Sequence, residues 1–107
     1  MPKEITRPSL AEALLSKNPP IVFEALDRNY FDAGHIPTAR VLPLAEIDSV
    51  ASQVARKDAP IVLYCASATC QNSHQAAEQL AARGYTDVAV YSGGKQDWSE
   101  AGLRLEK

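Results

Sequence analysis

Three short apolar runs, Ile21-Val22-Phe23, Ile61-Val62-Leu63-Tyr64 and Val88-Ala89-Val90, are spaced along this chain with helix-period segments between them. None of the three alternates apolar with polar residues. Strands of that kind are buried on both faces and need helices above and below. An order in which strands alternate with helices leads to a mainly parallel sheet with helices on both faces, because parallel strands need crossover connections.

The intervening segments fit that plan. Ile5 lies in a short strand, and Ser9-Leu10-Ala11-Glu12 has the form of a capping box with Pro8 beside it. Leu10, Leu14 and Leu15 then share a helical face, and Asn18-Pro19-Pro20 stops the helix. Asn29 to Gly34 reads as a helical turn ended by glycine, and Arg40-Val41-Leu42 as a strand. Leu44, Ile47, Val50, Ala51, Val54 and Ala55 keep helical spacing. Ala76, Ala77, Leu80 and Ala81 form the stripe of the next helix, which Gly84 closes. Gly93-Gly94 turns the chain into a last short helix holding Trp98.

At 107 residues and 46% apolar content, residues 1–107 are expected to form one folded domain. The net charge of −2 advertises neither nucleic acid nor an anionic membrane. No window approaches the roughly 18 apolar residues of a membrane span, and Met1-Pro2-Lys3-Glu4 leads into no apolar signal segment. The expected compartment is the cytoplasm, where thiols stay reduced. Two cysteines do not make a disulfide scaffold, so each reads as chemistry or as core.

Cys65 follows the strand Ile61–Tyr64, and a small-residue stretch then leads to the helix that opens near Ser73. Reacting groups in open α/β sheets collect just beyond the carboxyl ends of the strands. A helix N-terminus offers N–H groups and partial positive charge to a thiolate. Cys65 is therefore the candidate nucleophile. Ala66, Ser67, Ala68, Thr69, Gln71, Asn72 and Ser73 make the candidate substrate- or anion-binding loop. Ser73 reads equally as a helix cap and as a hydrogen-bond partner of the Cys65 sulfur.

Five positions on, Cys70 admits three readings. It is a resolving thiol that attacks an oxidised or persulfidated Cys65, a small hydrophobe filling the loop, or a metal ligand with Cys65 and His74. With three candidate ligands and no evident fourth, no metal or other cofactor is expected. His35 reads as a histidine that ties its turn by hydrogen bonds, with a base for Cys65 as the functional alternative. His74 reads as a solvated first-turn residue or a group at the mouth of the site. Trp98 reads as core or as a lid over the sheet edge, and Tyr64 as buried. Glu24 reads as a partner for buried backbone donors, and Arg56 to Asp58 as a solvated helix end.

Together these pieces resemble the rhodanese-like domain family over nearly the whole chain. Tyr30-Phe31-Asp32-Ala33-Gly34-His35-Ile36-Pro37-Thr38-Ala39 is similar to its Gly-His-Ile-Pro-Gly-Ala segment. Ile61 to Cys65 resembles its catalytic strand, Ala76-Ala77 to Leu80 with Gly84-Tyr85 its next helix, and Gly93-Gly94 with Trp98 and Gly102 its C-terminal signature. The resemblance implies a five-stranded, mainly parallel sheet flanked by helices on both faces. It also implies a cysteine, Cys65 by position, that accepts sulfane sulfur as a persulfide from a small-molecule or protein-bound donor and passes it to a thiol or cyanide acceptor.

The chain departs from the pattern in its loop, which is two residues longer than usual and holds no Arg, Lys or Gly between Cys65 and Ser73. Asn72 stands where the family has arginine, and Glu24-Ala25-Leu26 replaces Asp-x-Arg. A cysteine phosphatase would need an arginine there to clamp phosphate, which argues against that chemistry. Thiosulfate, a dianion, is expected to be a poor donor. The readings from other classes are a non-catalytic rhodanese-like binding or regulatory module and a Cys65/Cys70 thiol redox protein.

Overall fold

The computed structural model describes residues 2–107. Five parallel strands, β1 (Lys3–Glu4), β2 (Ile21–Glu24), β3 (Arg40–Val41), β4 (Ile61–Tyr64) and β5 (Val88–Tyr91), form one sheet in the order β1-β5-β4-β2-β3. The apolar runs that lack alternation are the three central strands. β4 lies between β5 and β2, with Ile61 in register with Val88 and Ile21.

Side chains of a strand point alternately to the two faces of the sheet, and here both faces are covered. On one, Phe23, Ile61, Leu63, Val88 and Val90 meet Ile47, Val50, Ala76, Ala77 and Leu80. These come from the 3-10 helix Leu44–Ser49, α3 (Val50–Gln53) and α4 (Asn72–Ala82). On the other, Val22, Val62, Tyr64, Ala89 and Tyr91 meet Leu10, Ile36 and Trp98. That side is covered by α1 (Arg7–Leu14), α2 (Arg28–Ala33) and α5 (Gly94–Glu100). Trp98 is core, with its indole N–H donating to the Arg104 carbonyl at 2.9 Å. Gly84, at φ +96°, ends α4 in the left-handed region as its position suggested.

Two local expectations are corrected. α1 starts at Arg7, and its N-cap is Thr6, whose hydroxyl accepts from the Ser9 backbone N–H at 3.3 Å. Pro8 explains the shift: without an N–H it is at home in a first turn, so the helix begins before it. The segment 44–55 is not one regular helix. The 3-10 helix breaks at Glu46 (φ −112°, ψ 20°) and only Val50–Gln53 is α-helical. Ile47, Val50 and Val54 are buried all the same; spacings of three and four residues suit either helix type, so periodicity does not separate them.

A charged group lies inside this fold. Glu24, at the carboxyl end of β2, is 0% exposed. Its Oε1 accepts from the Tyr64 hydroxyl at 2.7 Å and its Oε2 from Lys95 Nζ at 3.1 Å. The partners are side chains rather than the backbone donors expected from the sequence. Tyr64 in turn accepts from the Ile36 N–H at 3.1 Å. Burial, followed by the Glu24 charge, pushes the Tyr64 phenol far above its ordinary range, so it stays a neutral donor. Lys95 Nζ also donates to the carbonyls of Tyr30 (2.8 Å) and Gly34 (2.9 Å), at the end of α2.

Breaking a buried pair leaves an uncompensated charge, which costs more than the pair contributes. Glu24→Leu should lower the unfolding free energy by about 3 kcal/mol or more, and Lys95→Met by a similar amount. The double variant should lose clearly less than the sum. Urea denaturation of the four proteins measures this, and additive losses would show that the two groups are not coupled.

Candidate active site

The site is built where β4, β2 and β5 end. Cys65 directly follows β4 and is buried, at 2% exposure. The loop from Ala66 to Gln71 then carries the chain to α4, whose first residue is Asn72 and whose N-cap Gln71 makes no side-chain cap bond. Ser73 is buried in the first turn of α4, and its hydroxyl lies 3.4 Å from the Cys65 sulfur. Of the two roles open to Ser73, it has the contact to sulfur and not the cap.

The loop is held largely by main-chain bonds. The N–H of Lys95 donates to the Cys65 carbonyl at 3.0 Å and that of Gln96 to the Ala66 carbonyl at 2.9 Å. Asn72 Nδ2 donates to the Ala25 carbonyl at 3.2 Å, tying the loop's far end to the end of β2. Gly94, at φ +67°, makes the approach of α5 feasible. A Cβ there would fall 2.4 Å from the Cys65 carbonyl oxygen and 2.9 Å from the Ser67 nitrogen. Within the loop, the Cys70 N–H donates to the Ser67 carbonyl at 3.1 Å, and the Ser67 and Thr69 hydroxyls lie 3.1 Å apart.

The Cys65 thiol donates to the Cys70 carbonyl at 3.4 Å. Burial, and then the side chain of Cys70, push the thiol above its ordinary range; the Ser73 hydroxyl and backbone N–H act the other way but do not win. The sequence-based expectation that the helix end and loop donors lower this pKa is thereby corrected. Ser73 and the start of α4 supply the stabilising donors, but removing the sulfur from water outweighs them.

Around the sulfur, Ala66, Ala68, Thr69 and Gln71 are exposed, and Ser67, Cys70 and Asn72 half-buried. Both cysteines are free thiols. Among the described residues, no three His, Cys, Asp or Glu side chains are grouped to hold a metal ion. His74, in the first turn of α4, is half-exposed and lines a cleft with Lys3, Glu4 and Glu78. His35 ties its turn: it stacks on Phe31 at 3.9 Å, its Nδ1 lies 3.2 Å from the Phe31 carbonyl, and its backbone pairs with Glu106.

Sequence reasoning missed Lys95. Its backbone holds the Cys65 carbonyl while its ammonium is bound to Glu24, Tyr30 and Gly34. A signal was present, because a lysine in the first turn of a helix opposes the helix dipole and needs a compensating partner. A cleft beside the loop is bordered by Ala68, Gly93, Gln96, Asp97 and Glu100, and Asp97 is paired there with Arg7 at 2.9 Å.

Comparison with known proteins agrees with this architecture. The chain is 32% identical over 88 residues to the thiosulfate sulfurtransferase GlpE of Pseudoalteromonas translucida, covering 82% of this chain and 81% of that protein. It is 31% identical over 77 residues to the uncharacterized protein YqhL of Bacillus subtilis, covering 72% of this chain and 59% of the relative's length. Among solved structures, the BH2092 protein of Bacillus halodurans superimposes with a TM-score of 0.87 at 24% identity, covering 97% of this chain and 76% of that one. The human single-domain sulfurtransferase TSTD1 does so with a TM-score of 0.81 at 22% identity, covering 94% and 97%. At these identities the two structures speak for the fold alone. The model of the rhodanese-like domain matches residues 7–101, and the chain belongs to that family.

Proposed function

We propose that this chain is a sulfurtransferase that carries sulfane sulfur as a persulfide on Cys65 and passes it to a thiol or to cyanide. The observation that carries this reading is the setting of Cys65. The thiol ends a central strand, its sulfur lies 3.4 Å from the Ser73 hydroxyl at the start of α4, and its carbonyl is fastened by Lys95. A fixed sulfur with hydroxyl and N–H donors beside it suits both halves of the reaction. The donors stabilise the thiolate that attacks the donor's sulfane sulfur and the thiolate expelled when the acceptor takes it. The family, and a relative named as a thiosulfate sulfurtransferase, support the reaction class.

The donor we favour is a persulfide, on a small molecule or a protein, rather than thiosulfate. Nothing cationic lies in the loop from Ala66 to Gln71, and the Lys95 ammonium is already bound to a carboxylate and two carbonyls. On the neighbouring cleft Asp97 is paired with Arg7 at 2.9 Å, and Glu100 adds negative charge that disfavours a dianion. Two free thiols in this loop fit a reducing compartment such as the cytoplasm. Among the described residues, no helix is long and apolar enough to cross a membrane.

Two measurements test the reading. Thiocyanate formation from cyanide should proceed with a low-molecular-weight persulfide, should run about tenfold slower or worse with thiosulfate at equal concentration, and should vanish in Cys65→Ala. Turnover that survives Cys65→Ala would overturn the assignment. The raised pKa of Cys65 also fixes a pH profile. The thiolate fraction is low at neutral pH and grows as pH climbs through and beyond the ordinary thiol value of about 8.5. Alkylation of Cys65 in a Cys70→Ser background should follow that rise. Ser73→Ala removes a lowering hydrogen bond, so it should move the midpoint further up and slow alkylation at neutral pH several-fold. A midpoint below about 8 would contradict the dominance of burial.

A further inference from the structure

The second loop thiol has no role in simple sulfur transfer, yet the fold turns the loop back on Cys65 at that residue. Cys65 Sγ donates to the carbonyl of Cys70 at 3.4 Å, and the turn is closed by the Cys70 N–H on the Ser67 carbonyl. A carbonyl oxygen lies about 2.4 Å from its own Cα by standard bond lengths. The Cys65 sulfur is therefore within about 6 Å of the Cys70 Cα, a separation that must shorten for a disulfide, whose two Cβ atoms lie about 3.8 Å apart. Rotation of the Cys70 side chain and a small shift of the exposed residues Ala68 and Thr69 would bring the sulfurs together.

We propose that Cys70 is a resolving thiol that discharges the Cys65 persulfide as hydrosulfide, leaving a Cys65–Cys70 disulfide. The inference rests on the persulfide reading above. The Cys70 thiol gives up its proton and its sulfur bonds to Cys65 Sγ, the inner sulfur of the persulfide. The bond from Sγ to the sulfane sulfur breaks, and the sulfane sulfur leaves with the electron pair as hydrosulfide. The Cys70 sulfur is oxidised and the sulfane sulfur reduced, so the step needs no outside oxidant. A dithiol reductant then restores both thiols by exchange.

Burial assigns the two sulfurs of the persulfide to different attackers. Cys65 is buried, at 2% exposure, so an acceptor from solvent meets the outer sulfur, and its attack transfers that sulfur. The inner sulfur faces the loop's own Cys70. Leaving groups point the same way. Transfer must expel the Cys65 thiolate, whose burial makes it a poorer leaving group, whereas the Cys70 route expels hydrosulfide. The loop thus partitions sulfane sulfur between delivery to an acceptor and release as sulfide, with free acceptor thiol deciding the balance.

The test exposes the reduced protein to a limiting low-molecular-weight persulfide, removes excess reagent, and follows intact mass, released sulfide and peptide mapping. The unmutated protein should end two hydrogens lighter, with a mapped Cys65–Cys70 disulfide and one sulfide released per disulfide formed. Cys70→Ser and Cys70→Ala should instead hold one extra sulfur atom on Cys65 and release sulfide about tenfold more slowly or worse. An unmutated protein that keeps a stable persulfide on Cys65 while Cys70 remains open to alkylation would overturn the proposal. So would sulfide release unchanged by both Cys70 variants. Absence of sulfur uptake by the unmutated protein and the Cys70 variants alike would instead defeat the underlying persulfide reading, a result distinct from the first two.

Discussion

The buried carboxylate of Glu24 is the interaction on which the rest of the site depends. A charge removed from water is tolerable only when partners meet its oxygens, and here Tyr64 and Lys95 do so. Satisfying Glu24 fixes the end of β2 to the end of β4, because Tyr64 is the last residue of β4, directly before Cys65. It also draws the Lys95 side chain inward, and the Lys95 backbone N–H then clamps the Cys65 carbonyl. The same ammonium takes up carbonyls at the end of α2. One buried charge thus sets the mutual placement of two strands, two helices and the loop that holds the thiol.

The electrostatics of Cys65 follow from competition rather than from one favourable feature. The start of α4 does what a helix N-terminus is expected to do, since both the hydroxyl and the N–H of Ser73 favour the thiolate. The cost of leaving water is larger, and the loop supplies no cation to offset it. The resting thiol is therefore protected by its protonation as well as by its burial.

Most of the fold could be read from the sequence because burial on both faces leaves an unambiguous signature. Ile61 to Tyr64 and Val88 to Val90 show it, and Gly84 marks a turn that few other residues accept. The capping of α1 was misread because Ser9 and Glu12 imitate a capping box while Thr6, three residues earlier, does the work. The segment from Leu44 was misread because its apolar spacing fits two helix types. Within the site, Cys65 and Ser73 were legible from their order along the chain. Lys95 was not, because its role comes from a fold that carries α5 back over the end of β4, some thirty residues away in sequence. The thiol's pKa was misjudged for a related reason: a helix terminus is visible in sequence, whereas the depth of a sulfur beneath a loop is not.

The way the loop is fastened has a consequence for how such a site can diversify. Its carbonyls are gripped by main-chain N–H groups of α5, across a contact that only the missing side chain of Gly94 permits. Amide groups make that grip whatever side chains the loop bears. Residues 66 to 72 can thus exchange an arginine for an asparagine, gain length or acquire a second thiol while Cys65 stays where it is. The scaffold separates where the sulfur sits from what is presented to it, so the loop's chemistry can change without rebuilding the ground on which the thiol stands.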